Sequence, residues 1–174
     1  MSRTHADPST RMGYLAWQMV HVMGTRLERA LRSLDLTAAQ HNALQHVGWT
    51  PGISAAEIAR RTGFTPQSMG AAVNALVDRG LLARREHPSN RRTVRLAITG
   101  SGAKLADRAR ELVERLDTEA LAALAPAERA LIHSLLLRVL AELNPDALPP
   151  LDPRGADSGA ANLPDAALGC VREG

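Results

Sequence analysis

The stretch from Thr65 to Arg95 constrains the fold most, because it joins a short helix, a glycine stop and a basic hairpin. Thr65 is a good helix N-cap, and Pro66 suits the first helical position, where its missing N–H costs nothing. Gly80 stands where a helix end favours left-handed backbone. Two β-prone segments then flank turn residues at 87–90. This order predicts a winged helix-turn-helix.

Apolar spacing shows which side of the second helix is buried. Met69, Val73 and Leu76 recur at spacings of four and three residues, so they form one stripe. The segment 54–61 reads as the first helix of the helix-turn-helix, and a Ser-Ala-Ala-Glu capping box opens it. The stripe leaves the remaining face of the second helix free for a partner.

Positive charge concentrates in the same stretch. Residues 60–95 carry eight arginines against one aspartate and one glutamate, while the formal net charge of the whole chain is +3. The rest of the chain is therefore net acidic. A focused basic patch on a helix-turn-helix pattern indicates phosphate binding. A solvated face with scattered arginines is the alternative.

The remaining composition favours a helical, cytosolic protein. Ala and Leu dominate the apolar residues and aromatics make up 2%, which favours helices over a β-sandwich. Cys170 is the single cysteine, and no signal peptide or membrane-spanning stretch is visible. We expect no enzyme, since the chain shows no paired carboxylates, nucleophile elbow, glycine-rich phosphate loop or metal cluster.

Patterning divides the chain into five segments. We expect a disordered N-terminus at 1–10, an N-terminal dimerisation helix at 11–35, a winged helix-turn-helix at 36–100, C-terminal dimerisation helices at 101–144 and a flexible tail at 145–174. The fold class is mainly α with a small β-wing (α+β). The apolar stripes of the long terminal helices exceed what the central module can cover, which predicts a homodimer. A monomeric bundle of the same helices is the alternative.

The hairpin carries the most specific pattern. Its segment RGLLARREHPSNRRTVRLAITGSG resembles the wing of the MarR family of bacterial transcriptional regulators. The matching positions are Gly80, Leu81, Arg84, Pro88, Arg91, Arg92, Thr99 and Gly102. The resemblance extends over roughly residues 15–143. Three positions depart from it, because His87 and Asn90 stand where the family has aspartates and Gly70 where it usually has Ser or Thr.

The resemblance implies that the second helix enters the major groove of DNA and the hairpin the adjacent minor groove. Gln67 and Asn74 have the amide geometry for bidentate contact with adenine, and Arg92 is the strongest candidate for the minor groove. Arg60 and Arg61 are candidates for phosphate contacts. The predicted DNA-contacting set is Arg60, Arg61, Thr65, Pro66, Gln67, Ser68, Gly70, Ala71, Asn74, Arg84, Asn90, Arg91 and Arg92.

Some of these roles stay open. Arg84 and Arg91 either hold phosphate or brace the strand, and each amide is otherwise a simple surface side chain. Two copies are expected to read a pseudo-palindromic operator with half-sites about one helical turn apart. Most family members are repressors released by a small ligand, so the resemblance implies the same here. The alternative is a winged-helix protein-interaction module with weak or no specific DNA binding, which Gly70 and Asn90 favour.

The resemblance also implies an effector pocket, where the first two helices and the long fifth helix meet the DNA-binding part. Tyr14, Trp17, His21 and His41, with charged side chains near Asp107, are the candidates to line it, and they suggest a phenolic or aromatic ligand. Alternatively, Trp17 belongs to a dimer core and the histidines to the surface. We expect no thiol or zinc sensing and no cofactor, because the first helix lacks cysteine and no set of metal ligands clusters.

Overall fold

Helices dominate the molecule, and one antiparallel hairpin interrupts them. The structure is a computed structural model that describes residues 7–87 and 90–147; the side chains of residues 86–94 lie outside that description. The elements are α1 (Met12–Leu31), α2 (Ala38–Trp49), α3 (Ala55–Thr62), α4 (Pro66–Asp78), β1 (Leu82–His87), β2 (Asn90–Ile98), α5 (Gly100–Ala120) and α6 (Pro126–Leu143). This architecture confirms the predicted mainly α fold with a small wing.

A short helical turn precedes α1. Pro8–Thr10 forms a short 3-10 helix, and the Asp7 carboxylate accepts a hydrogen bond from the Ser9 amide at 2.9 Å. These residues fall inside the stretch 1–10 that was expected to be disordered. An aspartate followed by proline can cap such a single turn by itself.

Side-chain caps start the helices of the helix-turn-helix where the sequence predicted. The Thr65 hydroxyl accepts a hydrogen bond from the Ser68 amide at 3.1 Å, with Pro66 at the first helical position of α4. A full capping box between Ser54 and Glu57 opens α3. The hydrogen bonds that the Ser54 amide and hydroxyl donate to the Glu57 carboxylate also hold the pKa of that carboxyl below its usual value. These caps fix where each helix of the pair begins.

The hairpin is tied to the body of the protein along one edge. β1 and β2 pair antiparallel from Leu82 opposite Ile98 to Glu86 opposite Val94. On the other side of β2, the Gly52 amide donates to the Leu96 carbonyl at 3.0 Å. At the base of the wing, β2 is therefore held between β1 and the segment that leads into α3.

The wing joins α5 through the Thr-Gly-Ser-Gly segment that the sequence analysis matched to the family. The Thr99 hydroxyl accepts from the Gly102 amide at 3.0 Å and donates to the Gly80 carbonyl at 2.8 Å. Gly102 is buried, and a Cβ there would lie 2.0 Å from the Leu81 carbonyl oxygen. Glycine is required because the helix start and the backbone before β1 touch directly.

The core lies in the central lobe, which we define as residues 36–109 together with Leu31. The fully buried large side chains are Leu31, Leu44, Val47, Ile58, Met69, Leu76 and Leu82. In α1 only Leu31 is buried, and α6 has no buried residue at all. No helix in the described part of the chain is long and apolar enough to cross a membrane.

Candidate nucleic-acid interface

Helix α4 presents one buried and one exposed face. The buried face consists of Met69, Ala72, Val73 and Leu76. The opposite face consists of Pro66, Gln67, Ser68, Ala71 and Asn74, which are all exposed. Gly70 is half-buried beside them, and a Cβ built on it meets no atom within 4 Å. The exposed face is thus small and polar, as a helix that enters a groove of DNA requires.

Two of the predicted DNA-contacting residues are bonded to each other. Arg84 lies on β1, and its Nη2 donates a hydrogen bond to Oδ1 of Asn74 on α4. Both side chains are exposed. They border a shallow groove whose floor includes Gly70, Val73 and Leu96. The sequence left two roles open for Arg84, bracing the strand or holding phosphate. The structure adds a third, because Arg84 orients the Asn74 side chain of α4.

The two arginines at the end of α3 have partners within the protein. Arg60 Nε donates to the Asp146 carboxylate at 3.0 Å, and the Asn144 amide donates to the Arg60 carbonyl at 3.3 Å. Arg61 is half-buried and donates to the Thr50 hydroxyl at 3.1 Å. The sequence predicted both as phosphate contacts and gave no sign of these partners, because Asp146 follows Arg60 by 86 residues.

The tip of the wing is described only in part. The backbones of Asn90, Arg91 and Arg92 belong to β2, but their side chains lie outside the described residues. Their contacts with DNA remain predictions from the sequence. The described base of the wing still places β1 and its Arg84 next to α4.

A cavity of about 370 Å³ opens between α2 and α5. Its lining includes His41 and Trp49 from α2 and Asp107 and Arg110 from α5. His41 is 6% exposed, its Nδ1 has no hydrogen-bond partner, and burial lowers the pKa of its imidazole. Arg110 donates to Asp107 at 3.2 Å and to Glu114 at 3.3 Å, and these partners raise the pKa of its guanidinium. The cavity therefore joins an aromatic wall, an imidazole and the ion pair of Arg110 with Asp107.

The four predicted ligand residues do not come together in this chain. Tyr14, Trp17 and His21 are exposed on α1, where the Trp17 and His21 rings stack with centroids 5.5 Å apart. Of the four, only His41 lines the cavity. The helical pattern gave the right elements but not their separation, since the part of α1 that carries these rings has no buried residue. Sequence reasoning also missed Trp49, whose only signal was its aromatic character at the end of α2.

A helix-turn-helix with a small polar face on its second helix, followed by an arginine-rich hairpin, defines a winged helix-turn-helix DNA-binding protein. The MarR family model matches residues 34–93. The HTH-type transcriptional repressor Rv2887 of Mycobacterium tuberculosis is 35% identical over 119 residues, which is 68% of this chain and 86% of that protein. The chain belongs to the MarR family and is a DNA-binding transcriptional regulator.

Solved structures agree with this assignment. The crystal structure of Rv2887 with salicylic acid superposes with a TM-score of 0.65 at 31% identity and covers 74% of this chain and 96% of that one. The structure of Rv2887 with DNA gives a TM-score of 0.63 at 29% identity, with 74% and 97% covered. These matches confirm the resemblance that the wing motif predicted.

Proposed function

We propose that this protein is a homodimeric repressor of the bacterial cytoplasm that binds a pseudo-palindromic operator and leaves it when an aromatic anion binds between α2 and α5. The exposed face of α4 carries the proposal, because it is polar, free of large side chains and opposite a fully buried stripe. The related Rv2887 is a transcriptional repressor. Transcription control, rather than catalysis, is the activity that this face serves.

Groove contacts come from two elements. Gln67 lies exposed in the first turn of α4, where its amide can pair with a base edge, and Gly70 and Ala71 let a thymine methyl approach. The wing arginines, with Arg92 first, enter the neighbouring minor groove. Arg91 adds charge beside it. The net positive charge of residues 60–95 then supplies the attraction to phosphate.

A second copy covers the exposed apolar side chains of the terminal helices. The side chains concerned are Leu15, Trp17, Met19, Val20 and Val22 on α1 and Leu131, Leu135, Leu136, Val139, Leu140 and Leu143 on α6. So much apolar surface in one place marks a protein interface. A two-fold dimer presents two copies of α4, which is why the operator is expected to be a pseudo-palindrome.

The cavity between α2 and α5 suits a small aromatic carboxylate or phenol. Trp49 offers a ring face and Arg110 a cation, and the His41 ring completes the lining between them. The volume of about 370 Å³ lies in the range of small-molecule sites. Rv2887 has been crystallised with salicylic acid, a molecule of this class. A ligand wedged here displaces α5, which Thr99 and Gly102 tie to the base of the wing.

Operator selection from randomised duplexes tests the DNA half of the proposal. We expect the wild type to enrich one pseudo-palindrome, with affinity that falls steeply as salt rises. Gln67→Ala should weaken binding to it by about tenfold, the size of a lost base contact. Gln18→Ala, which trims an amide on α1, is the matched control and should bind like the wild type. If the wild type enriched nothing at any salt concentration, the protein-interaction alternative would take its place.

Release of the protein from its operator by salicylate tests the ligand part of the proposal. With operator bound, salicylate should displace the wild type, while Arg110→Ala should need about tenfold more salicylate because a charge-assisted hydrogen bond is lost. Arg108→Ala is the control, since Arg108 is an exposed arginine of α5 outside the cavity lining. Equal responses of the two variants would contradict the placement of the ligand. Arg92→Ala should weaken operator binding itself and leave the salicylate response of the remaining complex unchanged.

A further inference from the structure

The bond between Arg84 and Asn74 determines which atoms α4 can offer to a base. A guanidinium has only N–H donors, so its partner on an asparagine amide must be the carbonyl oxygen. Arg84 Nη2 therefore engages Asn74 Oδ1, and the amide nitrogen of Asn74 points away from β1. The orientation of this amide follows from the chemistry of its partner.

An unrestrained asparagine reads adenine, because its nitrogen donates to N7 while its oxygen accepts from N6. In this chain the oxygen is already an acceptor for Arg84. One of the two lone pairs of Oδ1 is thereby used, and the guanidinium beside the other carries a positive charge. The pair thus presents mainly donors, the Asn74 N–H₂ and the remaining guanidinium N–H groups, and the adenine N6 amino group meets a less favourable acceptor than on an unrestrained asparagine.

Guanine is the base whose major-groove edge carries two adjacent acceptors, N7 and O6. We propose that Arg84 and Asn74 act as one reading unit that selects guanine in each half-site, with Arg84 as the positioning residue that sets the amide of Asn74. The proposal rests on the proposed function, since it requires α4 to lie in the major groove. It replaces the sequence-based expectation of adenine at Asn74.

The surroundings of the pair support this role. Gly70 lies one turn before Asn74, and the open space above its Cα lets a base edge come close. Arg84 lies opposite Leu96 and Arg85 opposite Arg95 in the hairpin register. Because neighbouring strand residues point to opposite faces of the sheet, Arg85 has the same charge but faces away from α4. The chain therefore contains its own control for the loss of one positive charge.

The test measures base preference in four proteins, namely the wild type, Asn74→Ala, Arg84→Ala and Arg85→Ala. Each is assayed with the selected operator and with duplexes in which every base pair is replaced in turn. The position read by the pair is the one at which Asn74→Ala abolishes discrimination. There the wild type should prefer guanine over adenine by about tenfold, as for one good bidentate contact.

Arg84→Ala should shift that preference toward adenine, because the freed Oδ1 restores the donor–acceptor edge of the amide. Arg85→Ala should weaken binding to all duplexes by one common factor and keep the guanine preference. The proposal fails if the wild type prefers adenine at this position, or if Arg84→Ala behaves like Arg85→Ala. If the selected operator has no guanine at this position, the guanine proposal fails and the proposed function stands. If the wild type selects no operator, the proposed function fails as well.

Discussion

The central lobe and the terminal helices use the same apolar residues in opposite ways. Leu44 and Leu76 in the lobe have no exposed surface, whereas Leu135 and Leu143 on α6 are 46% and 78% exposed. Leucine is therefore a core residue in one region and a surface residue in the other. The difference teaches that the lobe buries its apolar side chains within one chain, while the terminal helices leave theirs exposed, as the proposed dimer requires.

The largest effect should come from a cavity in the lobe. Leu44→Ala removes a fully buried side chain, and we expect it to lower the free energy of unfolding by about 3 kcal/mol. Leu143→Ala, at the end of α6, is the matched comparison: below the dimer dissociation constant, where no second copy covers Leu143, it should change this free energy by less than about 0.5 kcal/mol. Urea unfolding at one fixed protein concentration measures both. Equal losses would remove the distinction between the two regions.

A glycine at the border of the lobe should give the next largest effect. Gly102→Ala places a methyl group against the Leu81 carbonyl, and we expect a loss of about 2 kcal/mol from the forced backbone shift. Gly100→Ala, two residues earlier, meets no atom within 4 Å and should be neutral or slightly stabilising. Thermal unfolding followed by circular dichroism separates them. A Gly102→Ala protein as stable as the wild type would show that wing and α5 are not in rigid contact.

The terminal helices should respond in association rather than in folding. Leu136→Ala trims a side chain that is 42% exposed in one chain, and we expect it to raise the dimer dissociation constant about tenfold. Sedimentation equilibrium measures this constant. Leu44→Ala is the counter-control, since it should reduce stability without a comparable change in association. If the variant and the wild type had the same dimer dissociation constant, Leu136 of α6 would not belong to the interface.

Local chemistry explains what the sequence could predict. Thr65, Pro66 and Gly80 act within a turn of themselves, so the bounds of α4 follow from them nearly to the residue. The stripe of Met69, Val73 and Leu76 likewise depends only on helical spacing. The family's Thr-x-x-Gly pattern is local in the same sense. Thr99 caps α5, and Gly102 lets the start of that helix lie against the backbone before β1.

Long-range contacts explain the rest. Nothing in the spacing along the chain shows that Arg84 bonds Asn74 across two elements, or that Arg60 meets Asp146 from the far end of α6. The aromatic residues of α1 were grouped with His41 because both helices were expected at one pocket. In the described residues, however, the cavity takes its aromatic wall from Trp49 instead. Such pairings are decided by packing, which a single sequence does not display.

Acid should weaken the lobe before it affects the terminal helices. Burial lowers the pKa of the His41 and His46 imidazoles, and at His46 the charge of Arg61 lowers it further. The unfolded chain then binds protons that the folded lobe does not, so stability should fall as the pH drops through about 6.5. The decrease ends at the lowered pKa of the folded state. His41→Gln should flatten this dependence when urea unfolding is repeated from pH 8 to 5.5, and the pH 8 values serve as its control.

The smallest effect should come from the ion pair between Arg60 and Asp146, which links the central lobe to the end of the terminal helices. Arg60 and Asp146 are 60% and 54% exposed, so their pair contributes less than about 1 kcal/mol to stability. Asp146→Asn leaves the Arg60 guanidinium available to phosphate, and we expect operator affinity to rise about threefold at low salt and less at high salt. Glu142→Gln removes the same charge one turn earlier on α6, and fluorescence anisotropy with labelled operator compares the two. If both variants gained equally, the gain would reflect the overall charge near DNA, and the terminal helix would not restrain Arg60.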